Sequence, residues 1–319
     1  MSIDWQASSS QEIIELRAHV LYQIRHFMAE RRILEVETPA LGSATVTDPH
    51  IESMETWLQF PDKKEKRIFY LQTSPEYAMK RLLASGTGAI YQISRAFRQN
   101  EFGKLHNPEF SLLEWYRPDY DHLAMMDEVA ELFNELGFNE CQKMSYAEVF
   151  EFYLDINPHS ANQDDLRQLA IESGLHSRID DQSTLLDFIF SKHIAFKLGN
   201  EKPVFIFDYP ACQSALANLS EDVPAVAKRF ELYISGVEIA NGYNELCDVG
   251  EHKKRFEFDN KIRHQHRQSI YPVDNYFLAA IEHGLPVCAG VAMGLDRLIM
   301  ALSGNKDIKN VLTFPISNA

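Results

Sequence analysis

Two pairs of strand-like stretches constrain this chain more than anything else in it. Residues 89–97 and 109–116 flank a polar loop, and residues 229–235 and 237–246 follow one another almost without a break. Strands joined this tightly form antiparallel hairpins, because a parallel pairing needs a long crossover. Further strands are expected at 67–72 and 203–208. Around them the apolar spacing is helical. In 11–31, Ile13, Ile14, Leu16, Val20, Leu21, Ile24, Phe27 and Met28 make one broad face. Helices are also expected at 122–136, 146–153, 163–173, 183–198, 250–268 and 274–283, and from Gly294 onward. Thr73-Ser74-Pro75-Glu76 opens another, with a cap residue and a proline at the first helical position. Hairpins with helices around them predict an α+β domain, an antiparallel sheet flanked by helices. The 140–200 stretch carries no chemical motif and reads as a helical insertion, so a single domain over 1–319 is expected.

Several function classes drop out. No apolar run approaches the roughly 20 residues of a membrane span. Residues 1–6 show no basic segment leading into an apolar one, so no secretory leader and no membrane association is expected. Cys141, Cys212, Cys247 and Cys288 form no C-x-x-C pair, which fits reduced thiols of a cytoplasmic protein rather than a zinc site or a disulfide framework. The net charge of −15 disfavours non-specific nucleic-acid binding and suits a site that gathers carboxylates around a cation. There is no P-loop, no dinucleotide-binding glycine fingerprint and no nucleophile elbow.

Two arginines remain, each in a setting suited to a polyphosphate. Arg98 stands where a strand runs into the loop Gln99-Asn100-Glu101-Phe102-Gly103-Lys104-Leu105-His106-Asn107-Pro108-Glu109-Phe110. Arg297 closes Gly290-Val291-Ala292-Met293-Gly294-Leu295-Asp296-Arg297. A guanidinium presents a planar fork that matches phosphate oxygens. Alone, either would ordinarily be a surface ion pair, and His106 a structural histidine. A third stretch, from Phe230-Glu231 through Glu238-Ile239-Ala240-Asn241 to Glu245, sets carboxylates inside an apolar strand pattern. A buried carboxylate needs a partner.

Taken together, these segments resemble class II aminoacyl-tRNA synthetases of the lysyl type, over roughly residues 11–315. The family's F-R-N-E, H-N-P-E-F and E-x-Y correspond to Phe97-Arg98-Gln99-Asn100, His106 through Phe110, and Glu114-Trp115-Tyr116. Its F-E-x-x-x-x-G-x-E-I-A-N-x-x-x-E-L corresponds to Phe230 through Leu246. Two departures stand out: Asn100 replaces a glutamate, and Ala292 replaces the middle glycine of G-x-G-x-G-x-D/E-R. Ala292, Glu114-Trp115-Tyr116-Arg117-Pro118 and Tyr209-Pro210-Ala211-Cys212-Gln213-Ser214-Ala215-Leu216-Ala217 resemble the elongation factor P–lysine ligase family, a paralogue of the tRNA enzymes.

The resemblance implies the class II catalytic fold, and ATP and Mg2+ as cofactors. It implies that Arg98 and Arg297 are catalytic and brace the triphosphate. Gln99, Asn100, His106, Asn107, Phe110, Glu238, Ile239 and Gly294 would complete the ATP site, with Glu231 and Glu238 on the metal. Ser74, Pro75, Glu76, Glu114, Tyr116, Asn241 and Glu245 would hold lysine or (R)-β-lysine. The acceptor implied is a lysine ε-amine of elongation factor P, and the first helix with residues 35–39 implies a homodimer. A five-stranded OB-fold cannot fit in the residues ahead of the first helix, so no tRNA anticodon binding is expected. A truncated synthetase that charges tRNA, a silent regulatory paralogue and an ammonia ligase of the asparagine synthetase A type are the alternatives. The last takes an acidic substrate, which Glu76, Glu114 and Glu245 suit poorly.

Overall fold

The computed structural model describes residues 5–61, 65–176, 179 and 181–319. Residues 1–4, where the search for a leader began, lie outside the described residues. In chain order the elements are α1 (Gln11–Glu30), β1 (Leu34–Glu35), β2 (Leu41–Gly42), β3 (Glu55–Gln59), β4 (Lys66–Leu71), α2 (Glu76–Ala84), β5 (Ile90–Phe97), β6 (Glu109–Pro118), α3 (His122–Glu135), β7 (Gln142–Ser145) and α4 (Tyr146–Leu154). Then come α5 (Gln163–Glu172), α6 (Gln182–His193), β8 (Val204–Pro210), β9 (Val226–Ile234), β10 (Val237–Asn244), α7 (Val249–Gln265), α8 (Asn275–Gly284), β11 (Cys288–Gly294) and α9 (Leu295–Ser303). The expected α+β class and both antiparallel hairpins are present.

The chain divides into two compact units. The first comprises Met1–Pro118, Cys247–Val287 and Ala292–Ala319. Its strands run in the order β1-β5-β6-β11, and β2-β4-β3 form a separate sheet. Helix α1 buries Val20, Ile24, Phe27 and Met28, one stripe at three- and four-residue spacing. Arg17, on the same helix, reaches the carboxylate of Asp296 and, at 3.2 Å, the carbonyl of Val311. Asp296 is 2% exposed and also accepts the amide of Ser111 at 2.7 Å, so the residue before Arg297 is tied to β6. Arg263 on α7 is wholly buried; it donates to Glu52 and to the carbonyls of Asp48, Ile51 and Ser269. The carbonyl of Glu52 in turn accepts the amide of Gln99, so this clamp supports the loop that starts at Arg98.

The second unit comprises Asp119–Leu246 and Cys288–Val291. Its strands run β11-β10-β9-β8-β7. Its core joins Tyr146, Val149 and Phe150 of α4 to Leu166 of α5, Leu185 and Ile189 of α6 and Ile206 of β8. Each such side chain stabilises the fold by roughly 1.5–3 kcal/mol through burial. The 140–200 stretch is mostly helical, as expected, but it contains β7, which pairs parallel with β8.

Three local differences from the sequence reading have physical causes. Pro75 stands at the N-cap of α2 rather than inside the helix, because the Ser74 hydroxyl accepts the amide of Glu76 and turns the chain one residue later. The helix expected at 183–198 ends at His193, and a single 3-10 turn follows. There the chain must pass against the β9–β10 turn, and a Cβ on Gly199 (φ +69) would lie 2.4 Å from the Tyr233 carbonyl oxygen. Finally, Cys288–Gly294 is a strand, although its small residues read only as a phosphate-side motif.

Candidate active site

In the first unit, four of the expected substrate residues converge. Ser74 Oγ donates to Glu114 Oε2 at 2.6 Å, and Tyr116 Oη donates to Glu114 Oε1 at 2.7 Å. Glu114 and Tyr116 lie two apart on β6 and so share a face. Glu114 is 2% exposed. Burial, and next the negative Glu76, push its carboxyl up to about 7, against the pull of Ser74, Tyr116 and Lys80. Among the described residues its side-chain hydrogen bonds come from neutral hydroxyls, and the nearby cation, Lys80, bonds Glu76 at 2.6 Å. Pro75 is buried at the head of α2. A cation placed beside the Glu114 carboxyl would favour its ionised form.

The phosphate-side residues of the first unit are also joined. The Arg98 guanidinium lies 5.1 Å from the centroid of the Phe110 ring, and its Nε is buried with no hydrogen-bond partner. Glu101 contacts Arg98 at 3.4 Å and His106 Nε2 at 3.1 Å. Arg297 Nη2 meets His106 Nε2 at 2.7 Å and Arg297 Nε donates to the Leu105 carbonyl at 3.3 Å. Arginine can only donate and a carboxylate can only accept, so His106 Nε2 bonds one of the two at a time, and the shorter contact, to Arg297, favours the neutral ring. Burial, and then Arg297, hold the His106 pKa below its usual value, which agrees. Asn107 is braced by the fold: its side chain donates to the Glu109 carbonyl and accepts the Ile316 amide, which leaves one N–H and one lone pair. Gln99 and Asn100 are exposed in the loop. Gly294 is the N-cap of α9.

In the second unit, β9 and β10 carry the remaining candidates. Glu231 pairs with Asn241 and Tyr233 with Glu238 across the ladder. A bulge between Glu238 and Ala240 adds one residue to β10. Without it, Glu238 and Asn241, three apart, would face opposite ways; with it they share the face of Glu231. Glu231 accepts from Arg229 through one oxygen and from Tyr233 Oη at 2.5 Å through the other. Asn241 Oδ1 is buried without a hydrogen-bond partner. Glu238 is half-buried, less enclosed than its apolar neighbours suggest, and Ile239 is 3% exposed. Glu245 is 2% exposed, and its amide donates to the Cys288 carbonyl at 2.9 Å.

Sequence reasoning missed Lys80, Glu101 and the Arg229–Tyr233 bracing of Glu231. Lys80 was findable as the i+4 partner of Glu76. Arg229, Glu231 and Tyr233 alternate along a strand, which puts them on one face, and a carboxylate in an apolar strand calls for such a partner.

Among the described residues no group of three or more histidine, cysteine or acidic side chains is arranged to hold a metal, and no helix is long and apolar enough to cross a membrane. Residues 1–318 match the family model for class II tRNA synthetases (D, K and N). A protein of Proteus mirabilis named elongation factor P–(R)-β-lysine ligase is 45% identical over 99% of this chain and 98% of its own length. Proteins of the same name from Photorhabdus laumondii and Yersinia enterocolitica are 44% and 43% identical, with the same shares of each chain covered. The chain belongs to the class II tRNA synthetase family (D, K and N), and groups there with proteins named elongation factor P–(R)-β-lysine ligase.

Proposed function

We propose that this chain is an AMP-forming ligase that uses ATP to activate (R)-β-lysine or lysine and passes it to a lysine ε-amine of elongation factor P. The observation that carries the reading is the Ser74–Glu114–Tyr116 cluster, a buried carboxyl held only by hydroxyls and ready for an ammonium group. The names of the relatives supply the substrates.

ATP fits the first unit by its donor set: the orphaned Nε of Arg98 above the Phe110 ring, and Arg297 held in place by neutral His106. Arg98 and Arg297 are the catalytic residues of this reading. Gln99, Asn100, His106, Asn107, Phe110, Glu238, Ile239 and Gly294 complete the ATP contacts of this reading. Mg2+ favours carboxylate and phosphate oxygens; Glu231 and Glu238, on one face of the β9–β10 ladder, would hold it, Glu231 through the lone pairs left by its bonds to Arg229 and Tyr233. Bound there, it would neutralise phosphate charge. Ser74, Pro75, Glu76, Glu114, Tyr116, Asn241 and Glu245 receive the amino acid. Its carboxylate attacks the α-phosphorus, the bond to pyrophosphate breaks, and the acceptor amine later displaces AMP from the acyl carbon, losing a proton. Alignment and charge neutralisation dominate such chemistry. Residues 1–319 are read as one catalytic domain, working in the cytoplasm. The chain works as a homodimer, for which Tyr22 and Leu34, exposed on α1 and β1, offer apolar surface.

The test gives the purified protein ATP, Mg2+ and either amino acid, with elongation factor P and total tRNA in one tube. A mass gain on elongation factor P with tRNA uncharged is the expected result. Charged tRNA with unmodified protein would make the chain a minimal synthetase, and no change in either would make it silent toward both.

A further inference from the structure

Gln92 lies in the middle of β5, directly opposite Glu114 in the β5–β6 ladder. Residues directly opposite in an antiparallel pair share a face, with Cβ atoms about 5 Å apart. That face carries Tyr116, Glu114 and Phe110 on β6, and Gln92 and Ser94 on β5. Gln92 is 4% exposed, and its Oε1 is buried without a hydrogen-bond partner. Buried amide oxygens are normally satisfied, because leaving one unmade costs the full desolvation of the group. The neighbouring hydrogen bonds of the pocket run elsewhere. The hydroxyls of Ser74 and Tyr116 go to Glu114, and the ammonium of Lys80 goes to Glu76. Two residues along the same face, the Oγ of Ser94 is buried and unpartnered as well.

An ammonium group brings three N–H donors. Glu114 can take one or two of them, and the others need acceptors nearby. A neutral amide oxygen supplies one without adding a third negative charge beside Glu114 and Glu76. We propose that Gln92 is a specificity-determining residue of the amino-acid pocket, its Oε1 accepting an N–H of the substrate ammonium that Glu114 binds. This rests on the ligase reading above.

The test is amino-acid-dependent pyrophosphate exchange in the full-length protein, comparing the unaltered chain with Gln92→Met and Gln92→Glu. Methionine keeps the length and loses the acceptor; glutamate keeps the acceptor. The expected result is an amino-acid KM raised by about tenfold or more in Gln92→Met, the scale of one hydrogen bond to a charged donor. The KM for ATP should stay within about twofold, and Gln92→Glu, which keeps an acceptor but adds a charge beside Glu114 and Glu76, should bind lysine more tightly than Gln92→Met. Both variants are followed by thermal unfolding, and calorimetric titration of lysine without ATP provides a second readout of the same loss. An unchanged amino-acid KM and lysine affinity in Gln92→Met would overturn the proposal while leaving the ligase reading intact. Equal rises in both KM values with a lowered unfolding midpoint would make Gln92 a packing residue and overturn it too. Absence of exchange in the unaltered protein with every diamino acid would overturn the ligase reading and this proposal together.

Discussion

Glu114 in the first unit and Glu231 in the second are both enclosed carboxylates on sheet strands, yet they are prepared for opposite things. Glu231 has its counter-charge already: Arg229 holds one oxygen, Tyr233 the other. Glu114 has only the hydroxyls of Ser74 and Tyr116, and a second acid, Glu76, nearby. A carboxylate bonded to an enclosed arginine has its charge balanced within the fold before any ligand arrives. One held by hydroxyls at the edge of its ionisation is a receptor for a cation that the fold does not supply. The difference comes from a strand neighbour two residues away, Arg229 beside Glu231 and Tyr116 beside Glu114, and not from depth alone.

The comparison can be broken most forcefully from the second unit. Arg229→Met leaves Glu231 enclosed without its cation, and side-chain exposures of 11% and 13% place the pair well inside. Losing one partner of a buried pair costs about 3–5 kcal/mol. Denaturant unfolding should show that loss, and the double variant Arg229→Met with Glu231→Met should recover most of it. If the single variant unfolds like the unaltered protein, the pair is not structural.

Glu114→Gln should do the reverse. Burial already favours the neutral carboxyl, so an amide there leaves stability unchanged or slightly raised. Activation of lysine should fall by about 30-fold to 1,000-fold in kcat/KM, the cost of removing one partner of a desolvated charge pair. A variant that is unstable but still active would invert the assignment.

A pH series sharpens the same contrast. The Glu114 carboxyl titrates at about 7 in the fold, above its ordinary 4.5. A raised folded pKa means that its contribution to stability is complete below the unfolded value and is lost as pH rises through about 7. Substrate binding runs the other way, since a cation needs the ionised form. The KM for lysine should therefore fall as pH rises toward about 7, by up to roughly tenfold per unit, and Glu114→Gln should flatten both trends. A lysine KM that is flat between pH 5.5 and about 7.5 in the unaltered protein would separate Glu114 from the substrate.

Much of this was legible in the sequence, and the rest was hidden for identifiable reasons. The hairpins and long helices follow from apolar spacing, and the clusters around Arg98, Glu114 and Glu231 were all named as chemistry-bearing. What spacing could not supply was partnership across elements. Arg263 looks like one more charge on a polar helix, and only its contacts with Glu52 and the 48–51 carbonyls show it wholly buried. The bulge at Glu238–Ala240 decides which way Glu238 faces, and no residue type there announces it. Strand β11 was masked because Ala289, Gly290 and Ala292 have low strand propensity; burial against neighbouring strands overrides that.

The smallest effect separates two serines that precede helices. Ser145 spends its hydroxyl on its own helix: it accepts the amide of Glu148, whose carboxylate returns to the Ser145 amide in a complete capping box. Ser74 stands one residue before the N-cap of α2, and its hydrogen goes to Glu114 instead. Ser145→Ala should therefore cost about 1 kcal/mol of stability and leave activation kinetics unchanged. Ser74→Ala also loses the bond to the Glu76 amide and should cost up to about as much, but it removes in addition a donor that favours the ionised carboxylate, so the pH at which the lysine KM levels off should move upward. Should Ser74→Ala lower the unfolding midpoint as Ser145→Ala does and leave the pH profile in place, the Ser74 hydroxyl belongs to the helix, and Glu114 rests on Tyr116 alone.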